Sequence, residues 1–265
     1  ANKYFNIANT RIVIVGKGSE VVENLEKLGF GINYFDKYAN SVTKPVFNKA
    51  IPDGLTAIDV ISSYISAVGG KDNLMNVNTM TTKADVTIPG APFKPVATIK
   101  MKMPNKSSFS IKANMGGQEM VLMKRNFSGE KGYMEQQGQT IMMTDEEINE
   151  AKLVEGIIDE LYFTDDQIEL VSINSIDNDD VYKIKLTKNE KISFRYYNVK
   201  SGLLISVEEQ DENKNISSTM KYGDYRKVDG VMVPFYIEQN AGGQNLEFVT
   251  TEVLINTPLK DSDFY

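Results

Sequence analysis

Along most of the chain, apolar and polar side chains alternate with a period of two, the repeat of a strand that buries one face and shows the other to water. Ala84, Val86 and Ile88 alternate with Lys83, Asp85 and Thr87; Ala97, Ile99, Met101 and Met103 alternate with Thr98, Lys100 and Lys102; Phe109, Ile111 and Ala113 repeat the pattern. Further strands are expected at 119–124, around Phe127 and Tyr133, and at 140–143, with glycines 116, 117, 129, 132 and 138 in the turns. A second series runs through Tyr182, Ile184 and Leu186, then Ile192, Phe194 and Tyr196, then 203–207, 216–222, 231–238 and 245–254. The connections between them carry Asp, Asn, Ser and Gly in the combinations that close hairpins.

The period changes to that of a helix in three places. Thr56 is a candidate N-cap for a helix through Val68, with Ile58, Ile61, Ile65 and Val68 on one stripe and Gly69-Gly70 as its stop. Thr144 and Glu147 have capping-box spacing for a short acidic helix, and Ile157, Ile158 and Leu161 continue a helical stripe to about Tyr162. Near the start, a β-branched run at 11–15 leads through Gly16-Lys17-Gly18-Ser19 into a helix carrying Val21, Val22, Leu25 and Leu28. Gly29 stops that helix, and a short run at 32–35 would complete a βαβ-like piece too small to be stable alone. Between 39 and 54 the periodicity lapses and Pro45 and Pro52 appear, which suits an extended linker. The expected organisation is therefore a small α/β fragment over 1–38, a linker over 39–54 and a mainly β domain over 55–265. So many strands with few helical crossovers predict an antiparallel meander curled into a barrel or half-barrel, with the helix from Thr56 covering it.

Composition narrows the chemistry. The chain has 265 residues, 41% hydrophobic and 25% charged, with a formal charge of -7. That balance argues against nucleic acid, because phosphate binding needs clustered Lys and Arg. Cys and His are both absent, which excludes thiolate and histidine catalysis and the usual zinc ligands. Acidic clusters at 145–147, 159–160, 165–166 and 177–180 lack the glycine and closing glutamate of a calcium loop and read as turn and helix-start residues. Ser19 reads as an N-cap and not as part of a phosphate loop, since the third glycine and the lysine placement of such loops are missing. Two carboxylates could in principle cleave glycosides, but nothing singles out a pair, and there is no Trp to stack on a sugar. Neither a catalytic residue, a metal site nor a cofactor is expected. No apolar run is long enough to span a bilayer, and residues 1–9 lack the pattern of a secretory signal, so the chain reads as mature, trimmed or a fragment.

Candidate binding residues come from the alternation itself. Ile99, Met101, Met103, Phe109, Ile111, Met120, Leu122, Met142, Ile184, Phe194 and Tyr196 are assigned to the concave face of the sheet. Methionine is frequent among them, and an unbranched, polarizable side chain suits a concave face that adapts to apolar ligands. The same inventory also describes an ordinary core filled with Met.

Two resemblances overlay this reading. Residues 10–38 resemble the end of a half-domain of the pitrilysin/insulinase type of zinc peptidase, with strand 11–15, helix 19–28 and a short strand ending in Asp36. Lys17 departs from that pattern, and without His the zinc motif is impossible, so no peptidase activity carries over. Residues 55–265 resemble the lipoprotein-localisation carriers (LolA-like). The cues are the helix end at 67–70, the hairpin Phe127-Ser128-Gly129-Glu130-Lys131-Gly132-Tyr133, the strand-turn at 196–203, and Tyr222-Gly223-Asp224-Tyr225-Arg226 ahead of 228–234. That resemblance implies a curved antiparallel sheet wrapped over helices, a lipid or lipoprotein acyl chain on its concave face, and a periplasmic or cell-envelope location. The competing expectation is an accessory domain that binds peptide along a sheet edge or docks a peptidase subunit. The N-terminal piece would then be completed by a neighbour or by self-association.

Overall fold

Nearly every strand pairs with its neighbour in sequence. A computed structural model describes residues 11–265 except 17, 37, 45–48, 137, 178, 190, 212–215 and 242. One wing is formed by β3 (Thr79–Thr87), β4 (Val96–Lys102), β5 (Lys106–Met115), β6 (Gln118–Phe127), β7 (Gly132–Gln136) and β8 (Gln139–Met142). The other comprises β9 (Ile168–Ile176), β10 (Asp179–Lys188), β11 (Lys191–Asn198), β12 (Leu204–Asp211), β13 (Ile216–Val228), β14 (Val231–Ala241) and β15 (Gln244–Ile255). The wings join where β3 pairs antiparallel with β15, giving a 13-stranded sheet with β8 and β9 at its edges. The sheet is thus mainly β and antiparallel as expected, and it is not closed into a barrel.

Helix α2 (Ala57–Val68) covers part of one face, called inner below. The Thr56 hydroxyl accepts from the Asp59 amide while the Asp59 carboxylate accepts from the Thr56 amide, the reciprocal cap that fixes where the helix starts. Gly69 ends it at φ 143°, and a Cβ there would lie 2.9 Å from the Gly230 carbonyl oxygen, so the stop also sets how closely helix and sheet approach. The short α3 (Lys71–Met75) follows and buries Leu74. Val60, Ile61, Tyr64 and Val68 pack on Ile184, Leu186, Tyr197, Val231 and Val233, with the Tyr64 and Tyr197 rings edge to face at 5.3 Å. A second, smaller cluster of Ala84, Val86, Ala97, Ile111 and Phe248 lies on the same face across the seam and contains no residue of α2.

The chain returns from edge β8 to edge β9 by a long crossing. It starts with α4 (Asp145–Lys152), capped reciprocally by Thr144 and Glu147 as the spacing predicts. The helix stops at Lys152, and a separate 3-10 turn forms at Asp159–Tyr162, so the stripe through Ile157 and Leu161 is not one continuous helix. Gly156 separates the two, and a Cβ at that position would strike the Tyr162 ring at 2.2 Å. Ile157, Ile158 and Leu161 pack on the first cluster, which places the crossing on the inner face.

The first residues differ from expectation. Helix α1 (Gly18–Glu26) forms, but 11–15 pairs with nothing among the described residues, and Ile12, Val13 and Val15 are 76%, 83% and 95% exposed. In place of a βαβ unit, β1 (Tyr34–Phe35) pairs antiparallel with β2 (Ser41–Val42), inside the stretch expected to be linker. The reason is local: the Asp36 carboxylate accepts from the Tyr38 and Asn40 amides and closes a tight turn. Lys49 then bridges to Ile173 of the β9 edge, and its ammonium lies 2.7 Å from Asp180. Lys17 of the glycine turn and Pro45 lie outside the described residues.

Candidate ligand-binding face

Directly opposed residues of neighbouring strands share a face, so the strand register sorts the candidate side chains. Ile99 opposes Phe109, Met101 opposes Ser107, Ala97 opposes Ile111, and Ala113 opposes Met120. Ile99, Met101, Phe109, Ile111 and Met120 therefore share the inner face, and Leu122 packs there against the second cluster. Ile111 is buried, Ile99, Met101, Phe109 and Leu122 are half-buried, and Met120 is 48% exposed. Ile184 lies apart from these under α2, fully buried. Met103 sits just past β4 in the turn to β5, its amide donating to the Asn78 carbonyl at 2.9 Å.

Three of the candidates fall on the other side. Met142 opposes Tyr133, which opposes Asn126, which opposes Ser108, and Ser108 points away from its neighbour Phe109. Phe194 opposes Lys185 and Tyr196 opposes Lys183, while Ile184 opposes Arg195. Met142, Phe194 and Tyr196 are thus on the outer face, not with Ile99 and Phe109. On β11 both faces are covered, so its apolar alternation does not say which one looks inward. Outside, the Lys183 ammonium stands 4.0 Å from the Phe194 ring centroid, and the Tyr196 hydroxyl donates to Glu208 at 2.7 Å.

The inner side of β11 holds a buried polar network instead. The Arg195 guanidinium donates to Glu160 at 2.7 Å and to Asp159 at 3.2 Å, and the Tyr197 hydroxyl donates to Glu160 at 3.1 Å. Lys188 adds a contact to Asp159 at 3.3 Å. The Glu160 side chain is 4% exposed and that of Arg195 16%. Burial alone would lower the Arg195 pKa, but Glu160, Tyr197 and Asp159 outweigh it and hold the guanidinium more firmly protonated. Burial first, and then Glu160, push the Tyr197 hydroxyl well above its ordinary range, so it stays a donor. These groups pin the crossing segment to the inner face. The alternation does not reveal them; the available signal is the pair Tyr196-Tyr197, since adjacent aromatics in a strand point to opposite faces and suggest apolar cover on both.

A cavity of about 610 Å³ opens between α2 and the β11–β12 turn. Leu55, Val60, Tyr182 and Tyr197 give it an apolar floor, and Asp59, Ser62, Ser63, Ser66 and Ser201 a polar rim. Among the described residues, no group of three or more acidic side chains is placed to hold a metal ion.

No protein-family model matches the sequence, and no curated protein matches it. In three dimensions the chain is similar to a LolA superfamily protein from Nitrosomonas europaea, at 14% identity and a TM-score of 0.52, covering 80% of this chain and 98% of that one. It is similar to a DUF1329 family protein from Desulfovibrio piger at 10% identity and a TM-score of 0.53, covering 78% and 96%. A third similar structure is a domain described as an outer membrane lipoprotein-sorting protein from Vibrio parahaemolyticus, at 9% identity and a TM-score of 0.52, covering 78% and 95%. At these identities the likeness concerns the fold, which is LolA-like. None of the three is described as a peptidase.

Proposed function

We propose that this chain is a non-catalytic binding domain that holds an apolar ligand, a lipid or a lipoprotein acyl chain, on the inner face of its sheet. The observation that carries the reading is the row Ile99, Met101, Phe109 and Leu122. These side chains face inward, remain half-buried, and lie in the wing whose core cluster contains no residue of α2. Apolar surface left open beside a packed core is what a ligand-binding face offers. The fold supports the same reading, since one similar structure is described as a lipoprotein-sorting domain. A periplasmic or cell-envelope location follows as part of this proposal.

Native mass spectrometry of the purified chain, beside organic extraction, tests it. A stoichiometric acyl species should accompany the protein and disappear in Phe109→Asp, while Met142→Asp, on the outer face, should keep it. An empty protein, or one whose lipid is indifferent to Phe109→Asp, would sink the reading. The alternative, docking of a peptide or a peptidase subunit along a sheet edge, is favoured only by β8, whose residues are all exposed. An empty chain that migrates in a defined complex, lost when Thr140→Pro blocks β8, would replace the carrier reading by that one.

A further inference from the structure

The outer face of β4–β6 carries polar and basic side chains at the positions between the inward apolar ones: Lys100, Lys102, Lys106, Ser108, Lys124 and Asn126. The segment 259–265 lies across this face. Asp263 pairs with Lys100 at 2.5 Å, and Asp261 with Lys102 at 3.0 Å and Lys106 at 2.9 Å. Lys102 also donates to the Leu259 carbonyl at 3.0 Å. Asn126 donates to the Tyr265 main-chain oxygen at 3.0 Å, and Lys124 to the same atom at 3.4 Å. Between these polar contacts Phe264 is 1% exposed, as deeply buried as the core valines, although it belongs to neither core cluster. Asn126 is equally buried and accepts from Ser108 at 2.9 Å, so the groove floor is itself ordered by hydrogen bonds.

We propose that this face is a docking groove for an acidic segment of a partner protein that carries an aromatic residue, and that the chain's own 259–265 segment occupies it in cis. The occupant defines the recognition pattern: two carboxylates spaced for the lysine row, an adjacent aromatic anchor, and a main-chain oxygen for Asn126. On a chain of net charge -7 the concentration of lysines on these strands marks the one sign of partner this face suits. Ion pairs at such exposure are weak and screened by salt. The buried Phe264 ring therefore retains the segment more than the ion pairs do, the tether supplies an effective concentration on the order of millimolar, and a partner presenting the same pattern, aromatic anchor included, can exchange with it. The groove is read from its own contacts and stands or falls separately from the apolar ligand. If both hold, a partner seated here touches the backs of the strands that carry Ile99, Met101 and Phe109.

The test uses the full chain and a fluorescent peptide of sequence Leu-Lys-Asp-Ser-Asp-Phe-Tyr, followed by anisotropy at low salt. The variant Asp261→Asn with Asp263→Asn and Phe264→Ala vacates the groove and should bind the peptide at least about tenfold more tightly than the unaltered chain. Adding Lys100→Glu should remove that binding. A vacated variant with unchanged circular dichroism that takes up no peptide, or binding indifferent to Lys100→Glu, overturns the proposal. Should the vacated variant fail to fold, the unaltered chain labelled with 15N is titrated with millimolar peptide. The amide resonances of 259–265 should then move toward unbound positions, and resonances that stay fixed overturn it.

Discussion

Replacing Glu160 with Ala should be among the most damaging single changes available in this chain. Its carboxylate is the closest partner of the Arg195 guanidinium at 2.7 Å and also the acceptor of the Tyr197 hydroxyl. Removing it leaves a buried cation with the longer contact to Asp159 at 3.2 Å and the Phe163 ring at 5.0 Å, and a fully buried phenol with no acceptor among its present partners. Breaking a buried ion pair from one side costs about 3–5 kcal/mol, and the surviving Asp159 contact argues for the lower end. Against a total stability of about 5–15 kcal/mol, a loss near 3 shifts the urea midpoint by roughly 1–2 M at an m-value of about 2 kcal/mol/M. Equilibrium unfolding followed by circular dichroism measures it. The paired change Arg195→Met with Glu160→Leu removes both charges and should be markedly milder than Glu160→Ala alone. Hydrogen exchange should report faster opening of the 3-10 turn at Asp159–Tyr162 in the single variant. A Glu160→Ala cost below about 1 kcal/mol, or a double variant no milder than the single one, would refute the assignment of this pair as the anchor of the crossing segment.

Other expectations follow from the same geometry. Lys100 and Lys106, the leading partners of Asp263 and Asp261 respectively, lower both carboxyl pKa values below the ordinary 3.8. The stabilisation they lend is complete above that value and is lost as pH falls through the depressed ones, so the 259–265 segment, left with Phe264 and the Asn126 hydrogen bond, should loosen and exchange its amides faster below about pH 4, before global unfolding. At the other extreme, burial raises Tyr64, Tyr197 and Tyr225, and takes Tyr222 to about 12. Folding then favours the neutral phenols; their contribution is intact below about pH 10 and declines as pH rises toward the folded values, so phenolate absorbance should appear in one cooperative step with unfolding. Independent, ordinary phenol titration in the intact fold would contradict that. Finally, Thr56→Ala removes one half of the reciprocal cap of α2 and should cost about 1 kcal/mol in chemical denaturation, whereas Thr56→Ser should cost little.

The sheet was legible because its strands obey a period of two, and the N-cap at Thr56 and the capping box at Thr144 appear where the sequence places them. What alternation cannot supply is the sign of a face when both sides of a strand are covered. Alternation therefore places Phe194 and Tyr196 inward, whereas the register puts them outside and Arg195, the charged residue between them, inside. Met142 misleads for a related reason: β8 is a short edge strand exposed on both sides, so hydrophobicity there carries no information about packing. Strand β9 is hidden from the alternation: Ile168 and Leu170 share a face, but apolar Val171 stands where a polar residue is expected, and Ser172 and Asn174 break the repeat. The turn that joins β1 to β2 depends on Asp36 bonding backbone amides, a local contact that outcompetes the longer-range pairing expected for a βαβ unit.

The wiring of the sheet also bears on how the chain reaches it. Within each wing every strand meets the one made just before it, whereas the pairing of β3 with β15 unites residues far apart in the chain. Local hairpins close in microseconds and distant pairings wait on loop closure. The two wings should therefore be early, nearly independent events, and the central seam, together with the crossing segment held by Arg195, the late and rate-limiting one. Substitutions at the seam, such as Val86→Ala or Phe248→Ala, and equal losses within either wing, which forms before it, would then both slow refolding more than they speed unfolding.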